Sequence, residues 1–125
     1  MDTRRTTAAL LACAALAAAP ARSLAQAAPP PHVIHVQLTE YHIEVPDSVK
    51  QGESVLVVTN MGTVPHSLRV RGHRGLVSTR VIEPSQTVNV AMRLVVGEYV
   101  FYCGEKDGER EHRKQGMEHR VRVVW

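Results

Sequence analysis

The sequence predicts an all-β protein, built as an antiparallel β-sandwich or barrel of about seven or eight strands. Short segments rich in Val, Ile and Thr recur along the chain, and turn signals such as Pro46-Asp47 and Gln51-Gly52 separate them. Outside the Ala-rich N-terminal run, no window of ten residues has the apolar periodicity of a helix. Strands at this spacing are typical of two sheets packed around one core.

Seven segments carry the strand pattern. Residues 54–59 (Ser-Val-Leu-Val-Val-Thr) are almost continuously apolar, which suits a central strand. In residues 120–124, Val121 and Val123 alternate with charged neighbours, which predicts a final strand with one apolar face. The other predicted strands are residues 32–38, 41–45, 67–70, 87–94 and 99–102.

The first 27 residues have the pattern of a secretory signal peptide. Arg4 and Arg5 precede an apolar, Ala-rich run at residues 8–19, and Ala25-Gln26-Ala27 is a small-x-small cleavage motif. The run is shorter than the ~20 residues that span a bilayer. We expect cleavage after Ala27, with Ala25 as second choice, and a periplasmic or secreted protein. An uncleaved anchor or an Ala-rich tail is the alternative.

The remaining chain predicts a Pro-rich linker at residues 28–31 and one domain at residues 32–125. The signal takes away three of the 15 basic residues and one of the 12 acidic residues, so the mature net charge is +1 with neutral histidines. No basic stripe with interleaved aromatic residues is present, which argues against nucleic-acid binding. We expect a monomer without a membrane span.

Cleavage also leaves a single cysteine. Cys13 departs with the signal, so Cys103 is unpaired in an oxidising compartment, where a free thiol is a liability unless something occupies it. A bound metal ion would do so.

Cys103 belongs to a series of metal-ligand residue types, in the order His66, Cys103, His112 and Met117. One thiolate, two imidazoles and one thioether form the donor set of a blue-copper electron-transfer site. Each residue alone has an ordinary role in a core or on a surface. Their combination predicts one mononuclear copper ion, with Cys103 ending the penultimate strand and His112 and Met117 in the loop before the last strand.

Three motifs resemble those of the cupredoxins, the small blue copper proteins. Residues 60–66 (Asn-Met-Gly-Thr-Val-Pro-His) are similar to the family's turn before its first histidine ligand, and residues 97–103 (Gly-Glu-Tyr-Val-Phe-Tyr-Cys) to its penultimate strand. The third motif is His112 followed by Gly116-Met117. The resemblance implies a Greek-key sandwich and a trigonal plane of the two histidines and the cysteine, with Met117 as weak axial ligand. It also implies one-electron transfer between redox partner proteins.

The interval between Cys103 and His112 holds eight residues, more than in many small cupredoxins, and four separate His112 from Met117. This spacing is similar to that of the type 1 site of the copper nitrite reductases. Those enzymes have a histidine before the cysteine that binds a second, catalytic copper, whereas this chain has Tyr102 there. We therefore expect no enzyme activity. Ser67 stands where the family commonly has asparagine.

Several alternatives stay open. The second function is a periplasmic carrier that holds and delivers copper with nearly the same ligands, which the charged insertion at residues 104–111 keeps in play. A metal-free module on the same fold is disfavoured because all four donors are present. His32 and His35 are candidates for an auxiliary copper or zinc site, and His119 is a candidate rival to Met117.

Overall fold

The computed structural model describes residues 17–18, 21 and 23–125. Most of the predicted signal peptide, residues 1–27, therefore lies outside the described residues. Residues 23–31, which include the predicted linker, are exposed and have no regular secondary structure. Within the described residues, no helix has the length and apolar character needed to cross a membrane.

Eleven β-strands make up most of the described chain, and buried positions alternate with exposed ones along the longer strands. They are β1 (His32–Thr39), β2 (His42–Glu44), β3 (Ser48–Lys50), β4 (Gly52–Asn60), β5 (Arg69–Gly72), β6 (Gly75–Ser78), β7 (Thr87–Leu94), β8 (Gly97–Tyr102), β9 (Lys106–Asp107), β10 (Arg110–Glu111) and β11 (Glu118–Val124). A single 3-10 turn, Arg113–Gln115, lies between β10 and β11.

The strands form two sheets and a separate hairpin. One sheet has the order β2-β1-β4-β7, the other has the order β3-β11-β8-β5-β6, and β9 pairs with β10. The predicted all-β sandwich is thus confirmed. The sheets are mixed rather than purely antiparallel, because β1 runs parallel to β4 and β3 runs parallel to β11. Both parallel pairs join strands that are not consecutive in the chain.

The sequence pattern misses β3, β6 and the β9–β10 hairpin. β3 has three residues and β9 and β10 have two each, which is too short for an apolar alternation to be recognised. β6 is longer, but most of its residues are exposed, so it lacks the apolar face on which the prediction depends.

The core lies between the two sheets, where the inward faces of both contribute buried apolar side chains. β4 has a paired strand on each side, and its Leu56 and Val58 are fully buried. Further core residues are Ile34, Val36 and Leu38 on β1, Tyr99 and Phe101 on β8, and Val121 and Val123 on β11. The continuous apolar run at residues 54–59 therefore does mark a central strand.

The pairing of β8 with β11 determines which residues lie side by side at one end of the sandwich. Tyr102, the last residue of β8, pairs with Glu118, the first residue of β11. Cys103 follows Tyr102 and Met117 precedes Glu118, and the Cys103 N–H donates to the Met117 carbonyl oxygen at 3.1 Å. The strand register thus brings together two residues that are distant in sequence.

Truncation of the central strand's core side chain should show how much the sandwich depends on it. We expect Leu56→Ala to lower the free energy of unfolding by about 2–5 kcal/mol, because it removes buried methyl groups and leaves a cavity. The control is Leu76→Ala on β6, where the side chain is 47% exposed, with an expected change within about 0.5 kcal/mol. Urea unfolding of the metal-free protein measures both. Equal losses in the two variants would contradict this account of the core.

Candidate metal centre

The loop before the first histidine is fixed by its own turn. The Asn60 side-chain amide donates to the carbonyl oxygens of Val64 at 2.9 Å and Ile82 at 2.8 Å, and its Oδ1 accepts from the Gly62 N–H at 2.9 Å. His66 then exchanges two backbone hydrogen bonds with Ile82. Because Asn60 is fully buried, this turn is a rigid part of the site, and it aims the His66 side chain inward.

The second histidine is held by the loop that carries it. The His112 N–H donates to the Glu105 carbonyl oxygen at 3.0 Å, and its own carbonyl oxygen accepts from Gln115 at 3.0 Å and Met117 at 3.2 Å. The β9–β10 hairpin lies between these contacts, so the eight-residue interval after Cys103 is ordered backbone.

Three of the predicted ligands meet at one point. His66 Nδ1 and His112 Nδ1 are 3.2 Å apart, and Cys103 Sγ lies 3.8 Å from the first and 3.6 Å from the second. The two histidines are 0% exposed and Cys103 is 1% exposed. Among the described residues, no other His, Cys, Asp or Glu side chains form a group of three at ligand distance.

This spacing fits one metal ion. In a trigonal arrangement with metal–nitrogen bonds of ~2.0 Å and a metal–sulfur bond of ~2.3 Å, the nitrogens lie ~3.5 Å apart and ~3.7 Å from the sulfur. The observed separations of 3.2, 3.6 and 3.8 Å are close to that. A thiol with two imidazoles is also the donor set of a type 1 copper site. The residues therefore fit copper in both spacing and chemistry.

Met117 is fully buried next to this group. Its backbone joins the other two loop ligands, since its carbonyl oxygen accepts from Cys103 and its N–H donates to His112. This places Met117 where the sequence predicts it, directly before the last strand. Its rival His119 is turned elsewhere, because His119 Nε2 lies 2.8 Å from Asp47 Oδ1 at the surface.

The two histidines near the N-terminus do not form a second site together. His32 and His35 are three positions apart on β1, and side chains an odd number of positions apart on a strand point to opposite faces. Both are exposed.

Each imidazole also has a carboxylate at its other nitrogen, which the sequence does not predict. Glu40 Oε1 is 3.1 Å from His66 Nε2, and Asp107 Oδ2 is 2.9 Å from His112 Nε2. Glu40 is 26 positions from His66, and Asp107 lies in a hairpin that has no strand pattern. The glycine at position 62 leaves room for the Glu40 contact, because a Cβ there would overlap the Glu40 carboxylate.

Burial shifts the pKa values of two of the donors, Cys103 and His66. It raises the pKa of the Cys103 thiol, although the backbone N–H groups of Ser67 and Glu105 oppose the shift. Burial also lowers the pKa of His66, which the hydrogen bond to Glu40 opposes. At neutral pH the metal-free protein therefore holds a thiol and a neutral His66, and an arriving metal ion must displace the thiol proton.

The pKa of Glu40 is shifted in the direction that favours its charged form. Burial raises its pKa, but hydrogen bonds from the backbone N–H groups of Val64 and Thr63, and from the His66 ring, outweigh burial and bring the pKa to about 2. Glu40 is therefore an ionised carboxylate at neutral pH.

Comparisons with known proteins show the fold. No family model and no curated protein matches the chain. Auracyanin from Roseiflexus castenholzii is similar in structure, with a TM-score of 0.60 and 14% identity over 78% of this chain and 100% of that protein. Auracyanin A, a blue copper protein of Chloroflexus aurantiacus, has a TM-score of 0.58 and 13% identity over 76% of this chain and 100% of its own.

A third similar structure is the Cu(I) form of an amicyanin variant that carries one methionine-to-alanine substitution. Its TM-score is 0.52 and its identity 17%, over 80% of this chain and 88% of the amicyanin chain. The chain thus has the fold of the cupredoxins, which confirms the resemblance seen in the sequence motifs.

The ionised Glu40 predicts a pH dependence of stability. A carboxyl group whose pKa falls from 4.5 to about 2 on folding stabilises the folded state above its unfolded pKa, and this contribution is lost as the pH falls toward its folded pKa. The stability difference between the metal-free wild type and Glu40→Gln should therefore shrink between about pH 5 and about pH 2. Glu44→Gln, an exposed carboxylate on β2, is the control. Urea unfolding at each pH measures the difference, and a constant difference would be inconsistent with this role.

Proposed function

We propose that this chain binds one mononuclear copper ion and carries single electrons between redox partner proteins outside the cytoplasm. His66, Cys103 and His112 would hold the ion in a trigonal plane, with Met117 as the weak axial ligand. The observation that carries the proposal is the convergence of Cys103 Sγ and the two imidazole Nδ1 atoms in a buried site.

Copper, when bound, supplies a one-electron couple between Cu(I) and Cu(II). The chain contributes donors that are already in place, on a strand end and on loops braced by backbone hydrogen bonds. Donors fixed in this way limit the rearrangement between the two oxidation states, which suits repeated electron transfer.

Burial also argues for electron transfer without catalysis. A catalytic metal site keeps one position open to water or substrate. Here both histidines and Met117 are fully buried and Cys103 nearly so, which keeps solvent from the metal position. The Glu105 N–H, 3.5 Å from Cys103 Sγ, donates to the sulfur, and hydrogen bonds to this sulfur tune the potential of such sites.

The proposed location rests on the sequence of residues 1–27 and on the thiol. A mature protein with one cysteine, which is buried and free of disulfide bonds in the described chain, is suited to an oxidising compartment when the thiolate is bound to metal. The redox partners are proposed as proteins, and the chain is proposed to act as a monomer.

Copper titration tests the proposal directly. The mature protein should bind one equivalent of Cu(II), develop an intense thiolate-to-copper absorption band, and lose it reversibly with a mild reductant. Cys103→Ser should abolish the band because the thiolate is its source. His119→Ala is the matched control, a histidine paired with Asp47 away from the site, and it should keep the band. Failure of the wild type to bind copper stoichiometrically would overturn the proposal.

Release of Cu(I) distinguishes an electron carrier from a copper-delivery protein. Because all three converging donors are buried, we expect the Cu(I) form to transfer its ion to a Cu(I) chelator more slowly than it is reoxidised by a soluble one-electron acceptor. Absorbance of the chelator complex and recovery of the thiolate band measure the two rates. Rapid, complete transfer before reoxidation would favour the carrier function instead.

A further inference from the structure

Each imidazole of the proposed copper site has a carboxylate at its remote nitrogen, and the two carboxylates come from different parts of the chain. We propose that Glu40 and Asp107 are positioning residues that hold His66 and His112 with Nδ1 toward the metal and that favour Cu(II) over Cu(I). This inference rests on the proposed copper site and adds to it the groups that set the reduction potential.

Glu40 is built into the site by several contacts at once. It lies in the turn between β1 and β2, and its Oε1 accepts hydrogen bonds from the N–H groups of Thr63 at 2.8 Å and Val64 at 3.0 Å, as well as from His66 Nε2 at 3.1 Å. The absence of a side chain at position 62 leaves room for this approach. Glu40 thus joins the turn before His66 to the ring of His66 itself.

Asp107 is brought to the site by the insertion after Cys103. The β9–β10 hairpin turns at Gly108, whose φ of 60° is in the left-handed region that favours glycine, and it places Asp107 Oδ2 2.9 Å from His112 Nε2. His112 Nε2 has no hydrogen-bond partner by geometry, so the contact is a close approach of the carboxylate charge to this nitrogen rather than a hydrogen bond. The Asp107 side chain is 47% exposed, and at 2.9 Å its charge is close enough to act on the ring.

The carboxylates select one tautomer of each ring. A neutral imidazole carries a proton on one nitrogen and a lone pair on the other. A carboxylate oxygen close to Nε2 favours a proton on that nitrogen, which leaves the lone pair at Nδ1, and in both histidines Nδ1 is the atom that faces Cys103 Sγ. Carboxylate partners of metal-bound histidines orient the ring and raise its basicity.

The same contacts should lower the reduction potential. Two negative charges next to the imidazoles stabilise the more highly charged Cu(II) state more than Cu(I). Removing such a partner commonly costs tenfold to a hundredfold in metal affinity. If removal of the carboxylate weakens the binding of Cu(II) more than that of Cu(I), each tenfold loss of Cu(II) affinity relative to Cu(I) raises the one-electron reduction potential by about 59 mV.

The experiment replaces each charge with its neutral isostere in the full mature protein. Glu40→Gln and Asp107→Asn keep the shape of the side chain, and Glu109→Gln is the matched control, an exposed carboxylate of the same hairpin region. Redox titration of the copper-loaded proteins should give at least a tenfold shift toward Cu(I) in each of the first two variants, about 59 mV, and a clearly smaller shift in the control. Potentials equal to the control would overturn the inference.

A second measurement does not depend on copper. NMR of the ring nitrogens in the metal-free wild type should show the Nε2–H tautomer for His66, whose Nε2 is hydrogen-bonded to Glu40, and an Nδ1–H tautomer of His66 would overturn the inference. Because the NMR measurement uses the wild type, it applies even if Glu40→Gln fails to fold. A wild type that binds copper with its thiolate band but shows no effect of the two variants would refute only this inference. A wild type that binds no copper would refute the proposed function.

Discussion

Two imidazole nitrogens 3.2 Å apart, buried beside a thiol, are the constraint on which this end of the molecule depends. Their lone pairs repel one another and burial keeps bulk water from solvating them, so the arrangement costs free energy unless a proton or a metal cation lies between them. The fold must therefore hold the donors together through contacts elsewhere. A metal ion that relieves this repulsion would also stabilise the folded state, because it binds the folded chain and not the unfolded one.

The contacts that hold the donors together come from both sheets and from the loops between them. Asn60, at the end of β4, ties the turn before His66 to the carbonyl oxygen of Ile82, and the β8–β11 register joins Cys103 to Met117. Ser67, at a position where cupredoxins commonly have asparagine, takes no part through its side chain, since its hydroxyl is buried without a hydrogen-bond partner in the described chain. Its backbone N–H instead acts to lower the pKa of the Cys103 thiol, so the contribution of Ser67 to the site comes from its main chain.

The sequence is informative where a pattern is local and uninformative where partners are distant. The strand at residues 87–94 is predicted with its bounds, and His66, Cys103 and His112 can be picked out because their residue types and strand contexts are local. The parallel pairing of β1 with β4 cannot be predicted, because apolar alternation shows which face of a strand is buried but not which strand lies alongside it. Glu40 is missed for the same reason: nothing near it in sequence indicates a histidine 26 positions away.

The eight-residue interval after Cys103, the unusual feature of the sequence, holds and covers His112 in this structure. Its residues form a hairpin that pairs Lys106 with Glu111 and Asp107 with Arg110, and its backbone binds His112 through Glu105. The ring of His112 is covered further by Tyr41, whose ring centre lies 5.2 Å away, so no edge of this imidazole reaches solvent. A delivery site needs a path by which an incoming ligand replaces a resident one, whereas an electron can cross a closed shell of side chains. An ordered, carboxylate-bearing cover over His112 is therefore better suited to exchange of electrons than to exchange of ions.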